Sequence, residues 1–245
     1  MPGNEGIYGE FAGIYDAEMA SFRFYDRWKS LFERLRLPGR RAIDLACGTG
    51  AIARELAGRG WEVEGVDASA AMLAAARARG GGEAIRWTLG DIRTFEARRP
   101  VDLVTCAFDS LNYLLDPGDV KEVFRRAAAH LEPGGHFLFD ALTPRGMKDD
   151  WGGGVRVRRG EGWFGTWESR FEAPFSRLRM TYFVRRPDGF WRRWEEEHTE
   201  RGYRPADLKS WLRAAGLETL ECRSQDAVTE ATRSATRVHI LAGRR

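Results

Sequence analysis

The spacing of hydrophobic positions changes twice along the chain. From residue 4 to residue 37, apolar side chains recur every three or four positions, which predicts helices. From residue 41 to residue 143, short apolar runs alternate with helical patterns, which predicts a parallel sheet built from βαβ units. Between residues 144 and 204, a glycine-rich loop at 149–154 precedes aromatic, arginine-rich segments that alternate with period two. These segments predict an antiparallel meander of about three strands.

The end of the chain returns to helix and strand. A helix is predicted at 205–216, followed by strands at roughly 217–224 and 236–242. Together with five earlier strands, they predict an α/β fold: a Rossmann-like, seven-stranded, mostly parallel sheet with helices on both faces. We divide the chain into an N-terminal helical cap (1–40), a core (41–143 and 205–245) and an antiparallel β insert after strand five (144–204).

Composition narrows the class of protein. The chain has 245 residues, of which 43% are hydrophobic and 31% charged, as in ordinary globular proteins. No apolar run of membrane-spanning length occurs, and the first residues do not resemble a secretory signal, so we expect a cytoplasmic protein without membrane partners. Three widely spaced cysteines favour neither disulfides nor a metal site. The net charge of +3 is too small to indicate nucleic acid by itself. Arginine far outnumbers lysine, which is typical of a GC-rich bacterial genome.

A glycine loop follows the first strand of the alternating region. Gly48, Thr49 and Gly50 open a helix, where unpaired N–H groups and the helix dipole favour ligands. Asp67 ends the next strand, where a carboxylate can accept both hydroxyls of a ribose. Asp44 lies immediately before the loop. These residues predict a nucleoside-containing ligand at this edge of the sheet.

Asp44 helps to distinguish between two possible ligands of the glycine loop, a dinucleotide and S-adenosylmethionine. A dinucleotide would place its pyrophosphate on the glycines, and the sequence from Gly48 to Ala53 matches G-x-G-x-x-A, which alone is a weak signal. A carboxylate beside the pyrophosphate would repel it by an amount on the order of kcal/mol. S-adenosylmethionine (SAM) brings an ammonium group that Asp44 would attract. The acid therefore favours SAM over NAD.

Five segments resemble the class I SAM-dependent methyltransferases. Residues 42–50, "AIDLACGTG", resemble motif I of that family, with Ala46 in place of its usual first glycine. The other four segments occur in the family's order and resemble its second acidic strand end, its adenine segment, the motif next to the transferred methyl and the turn before strand five: 63–69, 89–95, 101–114 and 131–140.

The resemblance implies a set of SAM-binding residues. Asp91 would cap the adenine amino group beside Ile92, and tyrosines of the N-terminal region would cover the methionine part, unless they only pack that region onto the sheet. The predicted cofactor-binding residues are Asp44, Ala46, Gly48, Thr49, Gly50, Asp67, Ala68, Asp91, Ile92, Phe108, Tyr15 and Tyr25, with Tyr8 as a third tyrosine. Asp91 could instead cap the turn that follows it.

The methyl acceptor is expected between the loop after strand four and the insert. Candidates for catalysis are Asp109, His198, which shares a strand face with Glu196, and Tyr15. Candidates for binding the acceptor are Asn112, Tyr113, Trp163, Trp194 and Arg201. Structural roles compete with these assignments. Asp109 could cap its turn, His198 could be an ordinary strand histidine, and four tryptophans could form the core of the insert: Trp163, Trp167, Trp191 and Trp194.

Several functions remain open. The leading hypothesis is methyl transfer from SAM to nitrogen or oxygen of a small molecule, because the layout resembles bacterial small-molecule and sugar N-methyltransferases, in which the insert also supports dimers. An RNA methyltransferase is the alternative, since nine arginines of the insert could form a basic surface: Arg156, Arg158, Arg159, Arg177, Arg179, Arg185, Arg186, Arg192 and Arg193. A non-catalytic SAM-binding protein and an NAD-dependent oxidoreductase are remote alternatives.

Overall fold

A seven-stranded sheet forms the core of the molecule, as predicted. The structure is a computed structural model that describes residues 8–22, 24–80 and 84–245. The sheet has the order β10-β11-β5-β4-β1-β2-β3, and all neighbours are parallel except the pairs made by β11. Its strands are β1 (Arg41–Leu45), β2 (Glu62–Asp67), β3 (Ile85–Leu89), β4 (Val101–Cys106), β5 (Leu131–Leu142), β10 (Leu217–Arg223) and β11 (Arg237–Arg244).

Helices cover both faces of this sheet because its strands are apolar on both faces. Ile43 and Leu45 pack with one group of helices, whereas Ala42, on the opposite face, packs with another. The first face carries α5 (Pro117–His130) and α7 (Pro205–Ala214), and the second carries α2 (Phe24–Leu35) and α3 (Ala51–Gly58). Helix α4 (Ala70–Ala78) links β2 to β3. No helix within the described ranges is both long and apolar enough to span a bilayer.

The insert is a separate antiparallel sheet of four strands rather than about three. These are β6 (Gly153–Gly160), β7 (Trp163–Glu172), β8 (Phe175–Arg185) and β9 (Trp191–Arg201), paired in that order. Residues 155–173, which the alternating pattern predicts as one strand, form a hairpin instead. The chain reverses at Glu161 and Gly162, and Gly162 has a φ of +73°. The alternation of apolar and polar residues continues through the turn, so the sequence pattern does not reveal the turn.

Two further expectations for the insert were wrong. Asp149–Trp151, predicted as part of a loop, lie at the end of helix α6 (Pro144–Trp151), which begins at a Thr143 cap accepting from the Gly146 N–H at 3.1 Å. Trp191 is 51% exposed and therefore does not belong to the core of the insert. Trp163, Trp167 and Trp194 are buried there, as expected.

The described part of the N-terminal region is helical, as predicted, and is divided into short segments. It contains α1 (Tyr15–Met19), α2 and two 3₁₀ turns at Phe11–Gly13 and Ala20–Phe22, while the predicted helical residues 4–7 lie outside the described part of the chain. Phe11 is buried against Tyr182 and Trp194 of the insert, with ring centroids 5.4 and 6.0 Å away. This segment therefore joins the insert to the core.

Gly146 offers a test of how tightly α6 is seated. A methyl group on Gly146 would lie 1.9 Å from the Thr236 carbonyl oxygen, which is backbone of the segment leading into β11. We expect Gly146→Ala to lower the free energy of unfolding by about 2–4 kcal/mol, because backbone must move to admit the methyl. Chemical denaturation measures this.

Gly58→Ala is the matched control for Gly146→Ala. It lies in helix α3 with nothing within 4 Å of the added methyl, so its stability should stay equal or rise. Equal stabilities for the two variants would contradict the close approach of α6.

Candidate active site

A cavity of about 410 Å³ opens at the carboxyl ends of β1 to β4. Helices α3 and α4 begin after β1 and β2, a turn follows β3 and a 3₁₀ turn follows β4, and ligand sites of parallel sheets lie at this edge. Its walls come from the core, the N-terminal region and strand β9. The lining residues are Tyr8, Tyr15, Tyr25, Ala46, Cys47, Gly48, Thr49, Ala51, Asp67, Ala68, Ser69, Met72, Asp91, Ile92, Arg93, Phe108, Ser110, Tyr113, Leu114, Leu115, Asp119, Glu197 and Thr199.

The loop after β1 has a left-handed backbone at three positions. Gly48 and Gly50 have φ values of +55° and +83°, and a methyl group on Gly50 would lie 2.2 Å from the Trp87 ring. Ala46, at the position of the usual glycine, has φ +52°, a conformation that an alanine adopts only with strain. The chain thus retains the loop geometry of the motif at Ala46 without a glycine there.

Asp67 ties this loop to the end of β2. Its Oδ2 accepts from the Gly48 N–H at 2.7 Å, and its Oδ1 accepts from the Ser69 N–H at 2.7 Å. Burial raises the pKa of Asp67 above its ordinary value, and the two backbone N–H groups oppose that shift. Each carboxylate oxygen has a second lone pair for a ligand hydroxyl, so the geometry fits a ribose.

Asp44 is the most deeply buried acid next to the loop, with 1% of its surface exposed. Its Oδ1 accepts from the Thr105 hydroxyl at 2.7 Å, whereas its Oδ2 is buried without a hydrogen-bond partner among the described residues. Burial raises the pKa of Asp44 to about 7, although the Thr105 hydroxyl and the Ala53 backbone oppose the shift. Such a carboxylate is stabilised by a cation, and an ammonium group fits that requirement.

Asp91 lies in the cavity wall but is already engaged. It accepts from the backbone N–H and the guanidinium of Arg93, at 2.8 Å and 2.9 Å, and Arg93 also reaches Asp119 at 3.2 Å. The hydrogen bonds from Arg93 lower the pKa of Asp91. Asp91 therefore caps the turn after β3, the structural role considered above, and its contact with adenine beside Ile92 stays a prediction.

Aromatic side chains form the opposite wall. Tyr15 stands edge-on to Tyr8 and Phe11, with centroids 5.8 and 5.5 Å apart, and Tyr25 stands edge-on to Phe108 at 5.0 Å. All three tyrosines line the cavity while packing the N-terminal region against its neighbours. The same arrangement would therefore allow the tyrosines both to cover a ligand and to pack the N-terminal region, the two roles considered from the sequence.

The predicted acceptor residues divide into two groups. Tyr113 lines the cavity, but Asn112 is fully buried. The Asn112 amide donates to the carbonyls of Leu142 and Arg201 at 3.0 and 2.7 Å, and so ties β5 to β9. Arg201 donates to the Leu115 carbonyl at 2.9 Å. Trp163 and Trp194 pack around Tyr182 rather than in the cavity wall.

Two of the predicted catalytic residues lie behind the cavity wall. Asp109 accepts from the buried Arg237 at 2.9 Å, and Arg237 also pairs with Asp140. His198 is 2% exposed and lies 3.0 Å from the Tyr113 hydroxyl. Tyr15 lines the cavity. The structure thus places Asp109 in an ion cluster and His198 behind Tyr113.

Arg237 and Asp140 are residues that the sequence analysis missed. They lie 97 residues apart and bond across β5 and β11. The available signal was weak: one charged residue at the start of an otherwise apolar strand, "RVHILAG", and one at the end of "HFLFD". A buried Arg between two carboxylates holds the loop after β4, since Asp109 also donates its N–H to Asp140 at 3.2 Å.

The fold and site together define a nucleoside-binding α/β enzyme, and comparison with known proteins specifies the family. Residues 42–135 match the model of a methyltransferase domain. A putative methyltransferase of Geobacillus is 32% identical over 96% of this chain and 98% of its own length. The chain therefore belongs to the SAM-dependent methyltransferases, with SAM as the cofactor.

Solved structures agree with this assignment. A SAM-dependent methyltransferase of Clostridium acetobutylicum superposes with a TM-score of 0.85 at 29% identity, covering 97% of this chain and 98% of that one. A SAM-bound amino pentose methyltransferase of Micromonospora echinaspora gives 0.73 at 26% identity, covering 92% and 95%. Both alignments extend over the insert as well as the core. The predicted fold and cofactor are thus confirmed, and NAD is no longer required to explain the glycine loop.

Proposed function

We propose that the protein transfers a methyl group from SAM to nitrogen or oxygen of a small-molecule acceptor. The single observation that carries the proposal is the composition of the cavity. Its lining combines acids and the glycine loop with the paired hydroxyls of Tyr8 and Tyr113 and the apolar side chains of Leu114 and Leu115. A space of about 410 Å³ under a four-stranded insert suits SAM with a compact acceptor.

Different residues in and behind the cavity wall hold different parts of SAM in the proposal. Asp67 receives the ribose, Asp91 and Ile92 the adenine, and Asp44 the ammonium, while Tyr15 and Tyr25 cover the methionine part. SAM supplies an electrophilic methyl on a sulfonium. The chain's residues align the acceptor with that methyl and exclude water, which is the main requirement of an in-line displacement.

The charges of the insert argue against RNA as the acceptor. Of the nine arginines considered above, five pair with acids: Arg158, Arg179, Arg186, Arg192 and Arg193. Interleaved acids reduce the phosphate contacts that this surface could make. The amino pentose methyltransferase among the similar structures supports a small acceptor with an amino or hydroxyl group.

We also propose that the insert mediates a homodimer in the cytoplasm. Its outer face exposes Val155, Val157, Phe164 and Trp191, and β6 is an edge strand with free backbone groups. The three cysteines are free thiols, which suits a reducing compartment. Light scattering of the purified protein would give a mass of two chains, and one chain would reject the dimer.

Calorimetric titration tests the proposed function first at the cofactor. We expect SAM and its demethylated product to bind with micromolar or tighter affinity and NAD not to bind, because only the first two bring an ammonium to Asp44. Binding of NAD alone would contradict the proposal.

Radiolabelled SAM tests the acceptor. We expect label in small amines or hydroxyl compounds, amino pentoses included, and none in tRNA transcripts. Labelled tRNA whose binding falls steeply with salt would favour the RNA alternative instead.

A further inference from the structure

Three side chains form a hydrogen-bonded series that starts in the cavity wall, and a fourth lies at its end. The Tyr8 and Tyr113 hydroxyls, both in the wall, lie 2.6 Å apart. The Tyr113 hydroxyl lies 3.0 Å from Nδ1 of His198. On the other side of the imidazole, Nε2 lies 3.4 Å from Oε2 of Glu196, whose side chain is 8% exposed. That contact has the distance of an ion pair, and Nε2 has no hydrogen-bond partner among the described residues. The series therefore leads from the cavity wall to an imidazole that lies beside a buried carboxylate.

The protonation states of these side chains determine the direction in which a proton can move along the series. Burial raises the pKa of both Tyr8 and Tyr113 well above 10, so both hydroxyls keep their protons, and neither can act as a tyrosinate base. A tyrosine can then accept a proton only while passing its own onward. The imidazole can receive it at Nδ1 if Nε2 carries the hydrogen and points toward Glu196. The opposite tautomer would direct an Nε2 lone pair at the carboxylate, which is repulsive.

We propose that Tyr8, Tyr113, His198 and Glu196 are a proton relay that takes the acceptor's proton during methyl transfer. The proposal rests on the proposed function. As the acceptor nitrogen or oxygen bonds to the methyl carbon, the methyl–sulfur bond breaks and its electron pair stays on sulfur. The acceptor's proton passes to Tyr8, that of Tyr8 to Tyr113, and that of Tyr113 to Nδ1 of His198. The resulting imidazolium is balanced by Glu196.

Glu196 has a second set of partners in the N-terminal segment. Its carboxylate accepts from the backbone N–H of Tyr8 at 2.8 Å and of Phe11 at 3.3 Å. The residue that orients the imidazole thus also seats the segment that supplies Tyr8. It follows that the relay is complete only when this segment covers the cavity.

The other groups near the relay are acidic or neutral. Glu200, from the same strand, and Asp109, after β4, act on Tyr113 and help to raise its pKa beyond the effect of burial. Leu178 is the neighbour of His198 on β8. None of these described neighbours of the relay is a cation.

The tautomer of His198 tests the relay without any cofactor or acceptor. Imidazole nitrogen NMR of the full chain, with His198 assigned from a His198→Gln variant, should show hydrogen on Nε2 and a lone pair on Nδ1. Glu196→Gln should weaken this preference, whereas the neighbouring Glu195→Gln, on the exposed face of β9, should not. Hydrogen on Nδ1 in the wild type would overturn the relay.

Limited proteolysis tests the second role of Glu196. Glu196→Ala should speed cleavage around residues 8–14 several-fold, because two backbone anchors are lost, while Glu195→Ala leaves the rate unchanged. Equal cleavage rates in the two variants would refute the link between the carboxylate and the segment.

Kinetics with an acceptor found by radiolabelling completes the test. Tyr113→Phe and Glu196→Gln should lower kcat by about 10²–10⁴-fold and alter the acid limb of the pH–rate profile, with SAM affinity nearly unchanged. An unchanged kcat and profile would overturn the relay. Failure of the wild type to bind SAM or to methylate any acceptor would instead contradict the proposed function. The NMR measurement of the His198 tautomer would still test the relay in that case.

Discussion

Asp44→Asn should stabilise the protein without SAM and weaken its affinity for SAM. The buried carboxylate has one oxygen without a partner, and its pKa lies at about 7 rather than 3.8. At pH 8 that shift corresponds to at most about 4 kcal/mol lost from the free energy of unfolding. Asparagine removes the charge and retains an acceptor for the Thr105 hydroxyl. Since its amide N–H₂ gains no partner, we expect a net gain of about 1–3 kcal/mol.

The sign of the pH dependence follows from the raised pKa. Between pH 7 and pH 4, the folded chain holds a proton on Asp44 that the unfolded chain has lost. The contribution of this residue to stability therefore rises as pH falls through that range and is unfavourable above it. Thermal melting of the ligand-free protein at pH 8 and pH 5.5 should show a smaller difference between the two pH values for the variant than for the wild type.

Asp44→Asn should lower the affinity for SAM although it raises stability. Loss of the charge beside the proposed ammonium site should raise the Kd for SAM about 10- to 100-fold at pH 8, measured by calorimetry. Asp102→Asn is the control, because Asp102 bonds to the backbone of Arg40 and Arg41 at the other end of the sheet. A variant that becomes more stable but binds SAM as tightly as the wild type would remove Asp44 from the ammonium site.

Asp67→Ala should abolish most SAM binding while leaving the chain folded. The carboxylate is proposed to accept two ribose hydroxyls, and it also fixes the loop through the N–H groups of Gly48 and Ser69. Charge-assisted hydrogen bonds contribute about 1.5–3 kcal/mol each, so the Kd should rise about 100- to 1,000-fold. Calorimetry gives the affinity, and circular dichroism checks the fold.

Asp67→Asn separates the two functions of this side chain. It retains one oxygen for a backbone N–H but loses the charge, so its Kd should lie between those of the wild type and Asp67→Ala. Glu195→Gln, on the exposed face of β9 and outside the cavity lining, should bind SAM normally. A Kd for Asp67→Ala within twofold of the wild-type value would mean that the ribose lies elsewhere.

The meeting of several proposed cofactor residues in one cavity was predictable because these residues are local in sequence. Gly48, Asp67 and Asp91 each follow a strand of a parallel sheet, so a correct count of strands brings them to one edge. The substitution at Ala46 changed little, since the backbone there keeps its left-handed turn. The spacing of these residues along the sequence was sufficient to predict that they lie at one edge of the sheet.

The acceptor half depends on contacts that spacing does not encode. Asn112, expected to bind substrate, instead bonds to the backbone of Leu142 and Arg201. Asp109, a candidate catalytic residue, is paired with Arg237, 128 residues away. The extra hairpin in the insert was missed because a period-two pattern passes through a tight turn without a change. Residues of this half meet only through the tertiary fold.

The position of β11 bears on how the enzyme is made. This strand comes last among those described, yet it lies between β5 and β10, and it brings Arg237 to Asp109 and Asp140. A nascent chain that has emerged from the ribosome only as far as β10 contains every cofactor motif but lacks the cation that fixes the loop after β4. We therefore expect the loop after β4 to become ordered only once β11 has been made and has inserted between β5 and β10.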